Sequence, residues 1–399
     1  MLKNIYLDNA ASTPIDKKVV SEMVKAAKLY GNPSSYNNCG REAREYIELA
    51  RLKIARFLGA RPDEIVFTSS GTEANNLAIQ GIARSFKFLI FNFKTKSKFK
   101  NSKPHIITTQ IEHPSVLESI KRLEAEGFDV TYFPVDKEGF INPNELQSAL
   151  RLETVLVSVM YANNEIGTIE PIKKIGKIIK DFKINGTVPL FHVDACQATE
   201  YLDMNVNHLG VDLLSFNGSK IYGPRGIGVL YVRRGIKLSP VMAGGEQERG
   251  MRAGTENLPA IGGLAVALDG IDKKGGERLA GLRDYFISEV QNLLPDIAIN
   301  GAQGDDRLPN NINISAPNLS SEVLLLELDK YGICAGSGSA CASHAVEPSH
   351  VLKAIEVKPQ YISGALRFSM GRQTAKKDID YVLEVLPKVV KDLKKRYKI

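Results

Sequence analysis

One repeating pattern dominates the first two-thirds of the chain. Short apolar runs are separated by stretches with helical spacing, which is the signature of strands joined by crossover helices. The runs are EIVFT (64–68), HIITT (105–109), VTYFPV (130–135), TVLVSVM (154–160), PLFHV (189–193), DLLSF (212–216) and IGVLYV (227–232), with helices such as EANNLAIQGIARSF and PIKKIGKIIKDF between them. Crossovers of helical length join parallel strands, and helices on both faces bury the apolar runs from both sides. The pattern predicts an α/β fold with a mostly parallel seven-stranded sheet. After about residue 265 the texture changes to a long helical stretch, short strands near NNINISA (310–316) and GALRFSM (364–370), and a closing helix interrupted by Pro387. This predicts a large domain at 15–262 and a smaller α+β domain built from 1–14 and 263–399, with a mobile loop at 335–347.

Charge and cysteine usage narrow the class of function. The formal charge of +7 is concentrated in two segments: six Lys without an acid at 85–103, and six bases against Asp392 at 388–399. Removing both leaves a mildly acidic body, so the composition does not point to direct nucleic-acid binding. The 85–103 insertion also holds five of the fifteen Phe, and its conformation is not legible. With 43% hydrophobic and 24% charged residues the chain reads as globular rather than disordered. No apolar run approaches the roughly 18 residues needed to span a bilayer, and no leader pattern is evident, which leads to the expectation of a cytoplasmic protein without a membrane partner. The four cysteines, Cys39, Cys196, Cys334 and Cys341, form no C-x-x-C pair, which disfavours a disulfide scaffold or structural zinc.

In a wound sheet, ligands bind beyond the carboxyl ends of the strands. EIVFT is followed by Ser70, Gly71 and Thr72 opening a helix, an arrangement that can take an anion but alone is more often a plain turn and cap. HIITT leads to His113, TVLVSVM to Asn164, PLFHV to Asp194 with Gln197 beyond it, and DLLSF to Asn217, Ser219 and Lys220. Each residue alone has an ordinary structural account. Their concentration on consecutive strand ends is what singles them out. No H-E-x-x-H or Walker-A string is present, and GPRGIG (223–228) is not G-x-G-x-x-G. Pyridoxal phosphate fits the set: a lysine carries it covalently, an aspartate keeps the pyridine nitrogen protonated, a ring stacks on it and a helix start takes the phosphate.

The chain resembles the NifS/IscS-type cysteine desulfurases, within the class-V aminotransferases of pyridoxal phosphate fold type I. The matching strings are LDNAASTP, GNPSS, FTSSGTEANNLAI, EHPSVL, NNEIGTIEPI, HVDACQA, GSKIYGPRGIGVLYV, GGEQERGMRAGTEN, GSGSACAS and LRFSMGR, which run from residue 7 to about 372. The resemblance implies a homodimer that takes sulfur from L-cysteine, leaving L-alanine, and passes it to acceptor proteins for iron-sulfur assembly or tRNA thiolation. It implies that Gly71, Thr72, Ser219 and, from the other subunit, Thr255 hold the phosphate, with Asn217 beside them. His113 stacks on the ring and moves protons, Asn164 and Gln197 contact the ring substituents, and Asp194 contacts its nitrogen. Lys220 carries the cofactor, Asn164 and Arg367 take the substrate, and Cys341 accepts the sulfur, with His344 nearby. No metal is implied. Ser219 replaces the His that usually precedes the lysine, Asn217 replaces a Ser, and Asn37 stands one residue beyond GNPSS and Tyr36, where a His is frequent. An aminotransferase, a selenocysteine lyase, or a scaffold binding partners through the Lys-rich insertion are the alternative readings.

Overall fold

The computed structural model describes residues 4–93, 103–183, 188–338 and 348–398. Cys341 and His344 lie outside the described residues, as do residues 94–102 of the Lys-rich insertion. The first part of that insertion continues the helix Gly71–Phe93.

The strands in chain order are β1 (Ile5–Tyr6), β2 (Ile65–Thr68), β3 (His105–Thr109), β4 (Asp129–Phe133), β5 (Thr154–Met160), β6 (Leu190–Asp194), β7 (Leu213–Asn217), β8 (Gly228–Val232), β9 (Ala298–Ile299), β10 (Asn311–Ser315), β11 (Ile333–Cys334) and β12 (Ala365–Ser369). Strands β2 to β8 form one seven-stranded sheet in the order β2-β8-β7-β6-β5-β3-β4. Only β8 runs against its neighbours, pairing antiparallel with both β2 and β7. The other six strands therefore end on the same edge, where the residues singled out above emerge. Their central positions are buried on both faces, as the unbroken apolar runs require.

The C-terminal part is built on β10, paired antiparallel with β12 and β9. Beneath it Leu7, Phe286, Ile312, Phe368 and Leu386 share one core. The N-terminal β1 pairs with β11, and Asp8 bridges to Ser369, so the first strand is tied to this part rather than to the seven-stranded sheet. The closing helix Lys376–Tyr397 runs through Pro387 without a break, contrary to the interruption expected from sequence. One missing backbone donor is offset by the buried stripe of Val382, Leu386, Val390 and Leu393, because tertiary packing outweighs local propensity.

Two core histidines make the fold acid-sensitive. His192 lies between Ser158 Oγ (2.9 Å) and Ser215 Oγ (3.0 Å), and His105 between Thr154 Oγ1 and Thr131 Oγ1 (both 2.9 Å). Burial pushes each imidazole down to about 4. A group whose native pKa is depressed stabilises the fold above its unfolded value and loses that contribution as pH falls, here between about 6.5 and about 4. Thermal unfolding across that window should show Tm falling with pH, and His192→Gln should flatten the fall by up to about 1.4 kcal/mol per pH unit. An unchanged slope in the variant would remove His192 from the account.

Candidate active site

The cleft lies beyond the carboxyl edge of the sheet and encloses about 860 Å³ counted out to its open mouth. Its wall includes Gly71, Thr72, His113, Asn164, Asp194, Gln197, Asn217, Ser219, Lys220 and Arg367. The residues anticipated from separate strand ends therefore converge. Thr255 does not line this cleft on its own chain and instead faces a smaller recess with Ser69, Gly226 and Asn257.

The floor starts at the helix Gly71–Phe93. Ser70 Oγ accepts the Glu73 N–H (3.1 Å), and the Glu73 carboxylate accepts the Ser69 N–H (2.6 Å), which fixes the helix start by capping. A Cβ on residue 71 would come within 2.6 Å of Cys196 Sγ and 2.8 Å of Asn217 Nδ2, so only glycine lets the backbone approach this closely. The 23-residue helix starts here with its positive dipole end, which suits a phosphate.

Asp194 ends β6 and is only 6% exposed. Its Oδ1 accepts the Cys196 N–H (2.9 Å) and its Oδ2 accepts Asn75 Nδ2 (2.7 Å). Glu112, fully enclosed nearby, accepts from Thr109 Oγ1 and the Met160 N–H, both at 2.8 Å; burial pushes its carboxyl well above the carboxylate range. His113 caps the helix Pro114–Ala125 through Nδ1, which accepts the Ser115 N–H (3.1 Å). Burial lowers its pKa, Asp194 raises it, and Lys220 and His350 lower it, with a net fall.

Lys220 follows β7, with its ammonium donating to the Ala11 carbonyl (2.5 Å). The turn after it is held by Tyr222, which has a left-handed φ of 60°. Its N–H donates to Thr13 Oγ1 (2.7 Å), and its hydroxyl accepts the Arg372 N–H (2.6 Å). Strain of about 1–3 kcal/mol at such a residue persists only where surrounding contacts impose it. Gln197 Nε2 donates to the Ala10 carbonyl (3.0 Å), so the N-terminal segment crosses the cleft. Ser219 Oγ donates to Asn217 Oδ1 (3.0 Å), whose Nδ2 reaches Cys196 Sγ (3.3 Å). Burial pushes the Cys196 thiol well up, which suits packing better than nucleophilic attack.

Arg367 comes from β12 and is 2% exposed. It donates from Nη1 to the Asn164 carbonyl (2.9 Å) and from Nη2 to Asp8 Oδ1 (2.8 Å), while Nε is buried without a partner among the described residues. Gly336 lies against this pair, where a Cβ would sit 3.0 Å from both groups. An unsatisfied buried guanidinium N–H in a cleft is suited to a carboxylate. The residues thus supply an anion cradle, a buried carboxylate, an imidazole, a primary amine and a carboxylate receptor. That donor set fits pyridoxal phosphate carrying an amino acid. Among the described residues, no cluster of three or more His, Cys, Asp or Glu side chains could hold a metal ion, and no helix is long and apolar enough to cross a membrane.

Strand-end reading did not find Asn75, Ser115, Asp8 or Ala11. Asn75 could have been found from its place one helical turn after Gly71, on the face toward the strand ends. Asp8 and Ala11 have no comparable signal, because the contact of Asp8 with Arg367 and the place of Ala11 in the cleft depend on the long-range pairing of β1.

The family model for class-V aminotransferases matches residues 5–382. Cysteine desulfurase IscS of Dictyoglomus turgidum is 47% identical over 99% of this chain and 96% of its own length. Among solved structures, a NifS-like protein superposes with a TM-score of 0.87 at 35% identity, covering 98% of this chain and all of the other. The protein SspA in complex with cysteine gives 0.77 at 34%, covering 94% of this chain and all of its own. The match spans both the seven-stranded sheet and the C-terminal part that supplies Arg367, so it covers every wall of the cleft. On these findings the chain belongs to the class-V aminotransferase family of pyridoxal phosphate enzymes and, within it, to the cysteine desulfurases.

Proposed function

We propose that the cleft binds pyridoxal phosphate on Lys220 and transfers the sulfur of L-cysteine to Cys341, in a homodimer that passes the sulfur to acceptor proteins. The observation that carries this reading is that Lys220, Asp194 and the helix start at Gly71 share one cleft with Arg367, whose buried Nε has no partner among the described residues. A solved relative holding cysteine supports the choice of substrate. When bound, the cofactor supplies an electron sink for negative charge developing at the substrate Cα.

The chain's own residues do the rest. Arg367 takes the substrate carboxylate and, with Asn164, fixes the amino acid's orientation. Asp194 holds the proton on the pyridine nitrogen, and the Lys220 amine removes and returns the Cα proton. Gly71, Thr72, Ser219 and Asn217 hold the phosphate, completed by Thr255 of the other subunit; Gln197 contacts the ring. The net step breaks the substrate Cβ–Sγ bond and forms an S–S bond at Cys341. Cysteine and the Cys341 thiol become alanine and the Cys341 persulfide, with atoms and electrons balanced and no outside oxidant. A thiol reductant or an acceptor protein then removes the outer sulfur, and the iron-sulfur or tRNA-thiolation acceptors fit this output. The cytoplasm is the compartment that suits such a thiol.

Incubating the full chain with cofactor, L-cysteine and a thiol reductant should yield alanine and sulfide in equal amounts. Cys341→Ala should keep the cofactor's visible absorbance and lose persulfide by mass spectrometry. Persulfide formation unchanged in Cys341→Ala would overturn the assignment of the acceptor, and transamination without sulfide would favour an aminotransferase.

A further inference from the structure

Asp194 and His113 emerge from different strands, and two buried side chains connect them. Asn75, 1% exposed, donates from Nδ2 to Asp194 Oδ2 (2.7 Å) and to Ser115 Oγ (2.9 Å). Ser115, 8% exposed, places Oγ 2.8 Å and its backbone N 3.1 Å from His113 Nδ1. The direction of every bond follows from chemistry. A carboxylate only accepts, so the Asn75 amide must turn its NH₂ toward Asp194. Its second N–H occupies a lone pair of Ser115 Oγ. The backbone N–H of Ser115 already donates to Nδ1, so Nδ1 carries no proton and the Ser115 hydroxyl hydrogen also goes to Nδ1. The ring proton of neutral His113 is therefore on Nε2.

We propose that Asn75 and Ser115 are positioning residues that lock His113 as its Nε2–H tautomer and couple it to Asp194, so that His113 acts as a hydrogen-bond donor and Lys220 alone moves the Cα proton. The function of this arrangement rests on the desulfurase reading of the cleft. Making the imidazolium would put an N–H at Nδ1 against two donors, breaking at least one bond of the chain. Among the described residues, Asp194 from β6, Lys220 after β7 and His350, whose own ring bonds the Glu112 carbonyl (2.9 Å), are charged or titratable groups that face the ring. Burial gives the largest effect and favours the neutral ring, in agreement with the bond directions.

Nitrogen NMR of the full-length protein labelled with ¹⁵N-histidine tests this, with His113→Gln identifying the His113 signals. The native protein should show protonated Nε2 and unprotonated Nδ1 at neutral pH, with a titration midpoint below that of free histidine. Ser115→Ala should raise the midpoint by about one pH unit, the size of one net hydrogen bond, and Ser115→Thr should restore it. Asn75→Ala should move it in the same direction. An Nδ1–H tautomer or an imidazolium in the native protein, or a midpoint unmoved in a folded Ser115→Ala, would overturn the proposal. The readout needs neither cysteine nor turnover, so a failed relay and a failed desulfurase reading give separate results.

Discussion

Replacing Lys220 with alanine should abolish alanine formation from cysteine, a loss of roughly 10⁴-fold or more as for the central group of a catalytic unit. It should also remove the visible absorbance of the cofactor-loaded protein. Stability should hardly change. The hydrogen bond from the ammonium to the Ala11 carbonyl is worth about 1 kcal/mol net, and Tyr222 with its Thr13 and Arg372 contacts holds the turn without it. Lys220→Arg preserves the charge and should be equally inactive, because guanidinium does not give up its proton in proteins and cannot take the lysine's covalent role. Turnover surviving in either variant would place the reacting amine elsewhere.

The second large effect concerns Asp194. Asp194→Asn should lower turnover by roughly 10³-fold, the scale of losing one preorganised electrostatic contact in a catalytic cleft. The cause is both chemical and geometric. A neutral amide cannot hold the proton on the pyridine nitrogen, and it has one accepting oxygen where the carboxylate meets two donors, the Cys196 N–H and Asn75 Nδ2. The asparagine NH₂ would then face the Asn75 NH₂, and the contact through Ser115 to His113 would loosen with it. Circular dichroism should show a folded chain, and cofactor should still bind through the helix start at Gly71. A variant that keeps near-normal turnover would mean that Asp194 has only a structural part.

Much of this arrangement is legible in the sequence because strand ends in a wound sheet share one edge. TVLVSVM and HIITT coincide with β5 and β3 from end to end, since long β-branched runs bounded by polar residues leave little freedom in register. Once the strands are placed, His113, Asn164, Asp194 and Lys220 necessarily approach one another. The direction of β8 is not legible, because IGVLYV satisfies a buried strand in either sense and only the short return from β7 sets it. Tyr222 and Asp8 escape sequence reading for another reason: a left-handed φ and a pairing with Arg367 across 359 positions leave no local periodicity. The hydrogen-bond directions at Asn75 and Ser115 become visible only when distances fix who donates.

The central claim is that this cleft holds its cofactor on one particular amine. Reducing the cofactor-loaded protein with borohydride, digesting it and mapping the pyridoxyl mass by tandem mass spectrometry tests that most directly. The modification is expected on Lys220, and its absence there or its presence on a different lysine would contradict that claim.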